Sequence, residues 1–174
     1  MRWDGRAKTL EDARLTRWRA EGRLVPICPE CLGGLPVPRP AAEIETGATA
    51  ADVASGRGRI LTGSGADQTD PFLAGAERAV EIARTSDCRF ALLTDGSPSC
   101  GSTRVNDGRF EGRKIDGEGI AAHLLREAGV EVFAPSSLDR LAARIEALET
   151  SERAATLSDD APSEPDPLQI QRLD

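Results

Sequence analysis

The sequence predicts an α/β fold, a single domain with a mainly parallel sheet flanked by helices, followed by a disordered acidic C-terminal tail. Three observations carry this expectation. Apolar runs at 24–27, 90–93 and 130–133 read as buried strands, and helical stretches alternate with the later ones, the order that builds parallel sheets covered on both faces. The chain has 174 residues, with 39% hydrophobic and 29% charged, enough for one core. That core is assigned to residues 1–150. Residues 151–174 hold six acids against Arg153 and Arg172 amid Ser and Pro, with little to bury.

Taken in order, residues 8–20 predict a short helix with Thr9 as its N-cap. The strand at 24–27 leads into 29–40, where four prolines and two glycines predict a shaped loop without regular structure. Residues 59–62 predict a short strand. Asp70 caps the next helix, with Pro71 at its first position and Phe72, Ala76, Ala79, Val80 and Ala83 on its inner face. The strand at 90–93 opens directly into Ser97-Pro98-Ser99-Cys100. Asn106-Asp107-Gly108 predicts the turn of a small hairpin. A helix over 118–128 ends at Gly129, a strand follows at 130–133, and Ser136 or Ser137 caps a last helix running to about Glu149.

Charge and composition exclude several functions. The net charge is −7, and no basic footprint for nucleic acid is present. No run reaches membrane-spanning length and no signal peptide opens the chain, so a soluble cytoplasmic protein is expected. With one histidine and no tyrosine, histidine-rich metal sites cannot be built. Acid–base work falls to Asp, Glu, Cys or backbone. His123 lies beside the apolar stripe of Ile120, Leu124 and Leu125, the place of a half-exposed helix histidine.

The four cysteines carry the chemistry. In a reducing compartment they are metal ligands, catalytic thiols or core fillers rather than disulfides. Cys28 and Cys100 each follow an expected strand, in loops of Pro, Ser and Gly, where open parallel sheets place their ligand sites. Hydroxyls and backbone N–H groups around Cys100 suit a thiolate or a bound anion. Cys31 completes Cys28-Pro29-Glu30-Cys31, a spacing that fits a zinc half-site or a redox pair, with no second half-site to close a zinc centre. Cys88 has no polar company and reads as filler. Glu30, in a proline-locked loop beside a thiol, is a candidate acid–base group, and Ser97 and Ser99 flank Pro98 in the Cys100 loop. The glycines at 63, 65, 117 and 119 match neither a dinucleotide nor a P-loop fingerprint.

Several motifs in order resemble the thiouracil desulfurase-like family. They are Cys28-Pro29-Glu30, the run 33–40 (Gly-Gly-Leu-Pro-Val-Pro-Arg-Pro), Ala42-Glu43-Ile44 and the run 96–102 (Gly-Ser-Pro-Ser-Cys-Gly-Ser). Asp107-Gly108, Phe110-Glu111-Gly112 and Gly117-Glu118-Gly119-Ile120 extend the match from residue 2 to about 148. The resemblance implies a Rossmann-like sheet, a 4Fe–4S cluster on three cysteines, and an open iron that takes the sulfur of a thiolated small molecule. It implies Cys28 and Cys100 as two of the cluster ligands and Glu30 and Ser97 as the base and proton donor; Cys31 is the candidate to substitute as the third metal ligand. Family members open with an apolar strand ending in a Ser-Ala-Cys-like loop that supplies another ligand. The segment Met1-Arg2-Trp3-Asp4-Gly5 resembles the stretch just after that loop, and the expectation is that the true start lies upstream of Met1. Two other readings stand beside the desulfurase: a metal-binding or interaction domain that has lost catalysis, and a thiol redox protein using Cys28 and Cys31. A monomer or weak homodimer is expected.

Overall fold

The computed structural model describes residues 10–159. The chain divides after Leu138 into two units, and the first carries every candidate site residue. Its first helix, α1 (Ala13–Ala20), is capped by Asp12, whose carboxylate accepts Arg14 N at 2.8 Å. Arg14 holds the Asp12 carboxyl down to about 2, through its side chain first and its backbone N–H second. Thr9, the expected cap, lies outside the described residues.

The run 24–27 forms no strand. Pro26 has no N–H to give a ladder, and Val25 and Ile27 remain 44% and 37% exposed, so the burial that would hold a central strand is missing. The proline-rich stretch behind it is more regular than expected. It contains α2 (Pro29–Leu32), one helical turn with Pro29 at its first position, where a missing N–H costs nothing.

Next come β1 (Ala42–Ile44), α3 (Ala50–Ala54) and β2 (Ile60–Thr62). Thr49 and Asp52 close a reciprocal capping box at the start of α3. The long helix α4 (Thr69–Thr85) begins two residues earlier than expected, with Gln68 at its cap and Asp70 and Pro71 inside the first turn. β3 (Phe90–Leu92), β4 (Arg104–Asn106), β5 (Lys114–Asp116), α5 (Ile120–Glu127) and β6 (Glu131–Phe133) complete the unit. Asn106-Asp107-Gly108 does open the β4–β5 hairpin. Gly108 packs so closely on the backbone at Ile44 and Thr46 that a Cβ would lie 2.5 Å from Ile44 O. Glu43, 5% exposed, accepts Phe110 N at 3.1 Å and ties the hairpin tip to β1.

The mainly parallel sheet is not what these strands form. They pair two by two: β1–β2 and β4–β5 are antiparallel, and β3–β6 alone is parallel, with Ala91 opposite Val132. With 24–27 unpaired and the chain doubling back at β4–β5, a single α-helical crossover remains among the described residues, from β3 through α5 to β6.

The core is organised by helices. Phe72 and Ala76 of α4 and Ile120 and Ala121 of α5 pack with Ile44, Val53 and Ile60 in one apolar cluster. One turn onward, Ala83 of α4 and Ala122 and Leu125 of α5 pack with Val130 and Val132 in a second. The expected inner face of α4 is buried at Phe72, Ala76, Ala79 and Ala83, and Val80 is half-buried against the second cluster. Removing apolar area of this kind from water is the dominant favourable term in folding.

A 3-10 turn, Pro135–Ser137, precedes α6 (Leu138–Asp159), which makes up the described part of the second unit. Residues 151–159 are helical where the sequence predicts disorder. Ala154 and Ala155 are strong helix formers, and propagation from an existing helix is easy. Residues 160–174 lie outside the described residues. No described helix is long and apolar enough to cross a membrane.

Candidate active site

Cys28 is the N-cap of α2, and Glu30 and Cys31 lie in its single turn. Leu32 N donates to Cys28 O at 3.0 Å and Gly33 N to Pro29 O at 2.9 Å, closing that turn. So short a helix does not hold itself in place. It is held by α4: a Cβ on Gly33 would strike the carbonyl of Pro71, and a Cβ on Gly75 would strike the carbonyl of Pro29. Backbone lies on backbone at this crossing, and only glycine allows it.

The second loop, 97–102, is seated on the start of α5. Gly119 N donates to Gly101 O at 2.8 Å, Ile120 N to Pro98 O at 2.8 Å and Ala121 N to Ser99 O at 2.9 Å. The loop carbonyls therefore satisfy the N–H groups that a helix leaves open at its N-terminus. Gly119 must be glycine, since a Cβ would strike Ser99 O. Asp95 gathers the far side of the loop. Its Oδ1 accepts from Ser102 N at 2.8 Å, Ser102 Oγ at 2.9 Å and Thr103 N at 2.8 Å, and its Oδ2 from Thr103 Oγ1 at 2.9 Å. Burial alone would raise this carboxyl, yet the bonds from Thr103 and Ser102 hold it at about 2. Arg126 Nη2 donates to Ser102 O at 2.7 Å, and its Nη1 pairs with Glu118. The other Glu118 oxygen lies 2.8 Å from His123 Nδ1, so the lone histidine braces this network and does not enter the site.

The two loops meet at Glu30 and Ser97. Ser97 Oγ donates to Glu30 Oε1 at 2.9 Å and accepts from Ser99 N at 3.0 Å and Cys100 N at 3.3 Å. Glu30 Oε2 forms an ion pair with Arg39 Nη2, and Arg39 Nη1 donates to Pro36 O at 3.1 Å. The Arg39 side chain is 4% exposed. Burial lowers its pKa, while the nearby Cys28 and Cys100 sulfurs act in the opposite sense. Burial pushes the Cys100 thiol up to about 11, Ser99 Oγ at 3.9 Å opposes it, and Cys28 adds to the rise. The Cys31 thiol is raised as well, by partial desolvation of the sulfur in a residue that is exposed overall, and then by Cys28.

Cys28, Glu30, Ser97 and Cys100 are thus brought together, as the sequence suggests. Cys31 is exposed and reaches the site through Cys28, whereas Cys88 packs against the second core cluster. Among the described residues no three His, Cys, Asp or Glu side chains are gathered tightly enough for a single metal ion. Soft sulfur donors on two separately anchored loops, beside a buried cation, suit instead a polynuclear iron–sulfur group, in which each thiolate binds a different iron. Sequence reasoning missed Arg39, Asp95 and the two glycine crossings. An arginine locked between Pro38 and Pro40, and an Asp-Gly at a strand end, were the signals that could have found the first two.

Residues 1–137 match the model of the 2-thiouracil desulfurase family. The uncharacterized protein YbbK of Bacillus subtilis (strain 168) is 40% identical over 119 residues, covering 68% of this chain and 78% of that protein. A solved structure, described as the 4Fe–4S-dependent thiouracil desulfidase TudS, is 42% identical with a TM-score of 0.75, covering 83% of this chain and 88% of that one. The fold is therefore that of a mixed α/β protein similar to TudS. On the family match and these identities, this chain belongs to the 2-thiouracil desulfurase family.

Proposed function

We propose that this chain is an iron–sulfur-dependent desulfurase that removes sulfur from a thiolated nucleobase such as thiouracil, or a related thioamide, without net redox change. The observation that carries this reading is the meeting of Cys28 and Cys100 with the hydrogen-bonded pair Glu30–Ser97. Cys28 and Cys100 would hold a 4Fe–4S cluster, with Cys31 as a further ligand. Such a group supplies a soft Lewis acid that favours sulfur over oxygen.

The remaining work is hydrolytic. Water adds at the ring carbon that bears sulfur, the C–S bond breaks, a C=O replaces C=S, and sulfur leaves as sulfide. Glu30, an acceptor through both oxygens, takes the proton of the attacking water. Ser97 Oγ, held by two backbone N–H groups, hands a proton towards the leaving sulfur and recovers it through Glu30. The domain at 1–150 acts in the cytoplasm on a small molecule, without nucleic acid, as a monomer or weak homodimer. The alternative, thiol redox chemistry at Cys28 and Cys31, needs an activated thiolate, whereas the Cys31 thiol is shifted in the opposite direction.

Anaerobic reconstitution tests this reading. About four iron and four acid-labile sulfide per chain are expected, lost in Cys100→Ser, with sulfide and uracil formed in equal amounts from 2-thiouracil. A chain that takes up no iron, or that holds iron and releases no sulfide, overturns it.

A further inference from the structure

We propose that Arg39 is a positioning residue of this site, a buried guanidinium that fixes the Glu30 carboxylate against Ser97. The inference rests on the desulfurase reading and assigns a role to a residue outside its ligands and proton carriers.

The geometry divides the carboxylate between two partners. Glu30 Oε1 takes the Ser97 hydroxyl at 2.9 Å, and Glu30 Oε2 faces Arg39 Nη2. Arg39 Nη2 has no hydrogen-bond partner besides this ion pair, while Nη1 is spent on Pro36 O at 3.1 Å. The Arg39 and Glu30 side chains are 4% and 12% exposed, so the pair is largely shielded from water. A buried ion of this kind is expensive unless it is paired. Its retention here orients the one carboxylate that reaches Ser97. The planar fork of arginine holds Glu30 and the Pro36 carbonyl at once, a task for which a lysine ammonium is poorly shaped. The loop 33–40 thereby joins the site, linking the α2 turn to its own downstream segment.

Four variants of the full chain test this: Arg39→Lys, Arg39→Met, Glu30→Gln and the double variant Arg39→Met with Glu30→Gln. With 2-thiouracil and the reconstituted protein, Arg39→Met is expected to lower kcat by about tenfold or more while KM moves less than about twofold, and Arg39→Lys to recover part of the loss. Added to Glu30→Gln, Arg39→Met is expected to lower kcat by less than about a further twofold, because a residue acting through Glu30 has nothing left to position. Multiplying losses in the double variant, or no recovery with lysine, overturns the proposal.

A second measurement needs no activity. In the protein before cluster assembly, the side-chain 1H–15N resonances of Arg39 are expected to be slowly exchanging and to shift in Glu30→Gln. Unmoved resonances overturn the pairing whatever the activity. A wild-type protein that binds iron but leaves thiouracil intact overturns the desulfurase reading instead, and the resonance measurement still decides the pair.

Discussion

Ser97 Oγ donates a 2.9 Å hydrogen bond to Glu30 Oε1, joining side chains 67 positions apart in the chain. Because Ser97 Oγ also accepts Ser99 N and Cys100 N, the hydroxyl cannot rotate away without breaking the cysteine loop's own turn. On the proposed desulfurase reading, the pair serves as a preorganised proton path for the acid–base step. Glu30→Gln and Ser97→Ala are each expected to lower kcat by about a hundredfold or more while leaving bound iron unchanged. The double variant should fall little below the worse single one, since both act on one step. Iron analysis beside steady-state kinetics checks this.

Gly75 carries no chemistry, yet its substitution should reach the site. A methyl group there would strike the Pro29 carbonyl and push α2 off α4, taking Cys28 and Glu30 with it. Gly75→Ala is expected to destabilise the protein by about 2–3 kcal/mol and to impair iron retention. Gly56→Ala is the control. Gly56 has a φ of +74° and open space around its Cβ position, so it should cost about 1 kcal/mol from backbone strain alone and leave iron binding intact. Chemical denaturation and iron analysis of the two variants separate these outcomes.

Asp95 makes stability depend on acidity. Its carboxyl sits at about 2 in the folded protein, below the ordinary value of 3.8. Its contribution is therefore complete above about pH 4, declines as pH falls, and is gone once the folded group protonates near 2. Asp95→Asn should cost about 1–2 kcal/mol at neutral pH, after allowing for solvent screening of a partly exposed group. Its stability should also vary less between pH 4 and 2 than that of the wild type. Denaturant midpoints across that range measure it.

The cysteines should separate cleanly by substitution. Cys88 is half-buried in the second apolar cluster, with its thiol raised by burial first and Asp87 second. Cys88→Ser is expected to cost about 1 kcal/mol for a poorly satisfied hydroxyl and to leave iron content unchanged. Cys28→Ser and Cys100→Ser should each abolish stable iron binding. Anaerobic iron and sulfide determination on the three variants checks the division.

Helices and turns were largely legible in the sequence because their signals are local. The apolar spacing of Phe72, Ala76, Ala79 and Ala83 and the stop at Gly129 correspond to the helices found. Sheet order was not legible, because pairing depends on partners far along the chain. The apolar run 24–27 resembled a strand, but Pro26 and the exposure of its neighbours leave it unpaired. Equally, β1 at Ala42–Ile44 is too short to show any period.

In the candidate site, residue type and local company were enough to single out Cys28, Glu30, Ser97 and Cys100 as candidates. Arg39 offered only its place between Pro38 and Pro40 as a signal, because its pairing with Glu30 exists only once the loop 33–40 folds back on α2 and buries the guanidinium. Gly33 and Gly75 were invisible for a similar reason. A glycine demanded by a backbone crossing looks, in sequence, like any other.

The loop bearing Cys28 rests on α4, and the loop bearing Cys100 rests on α5. These two helices share both core clusters through alanines: Ala76 with Ala121, and Ala83 with Ala122. The span between the two thiols is accordingly gauged by how closely the helices approach. A single added methylene in that alanine seam would act as a wedge, opening the jaws that hold both sulfurs without touching either one.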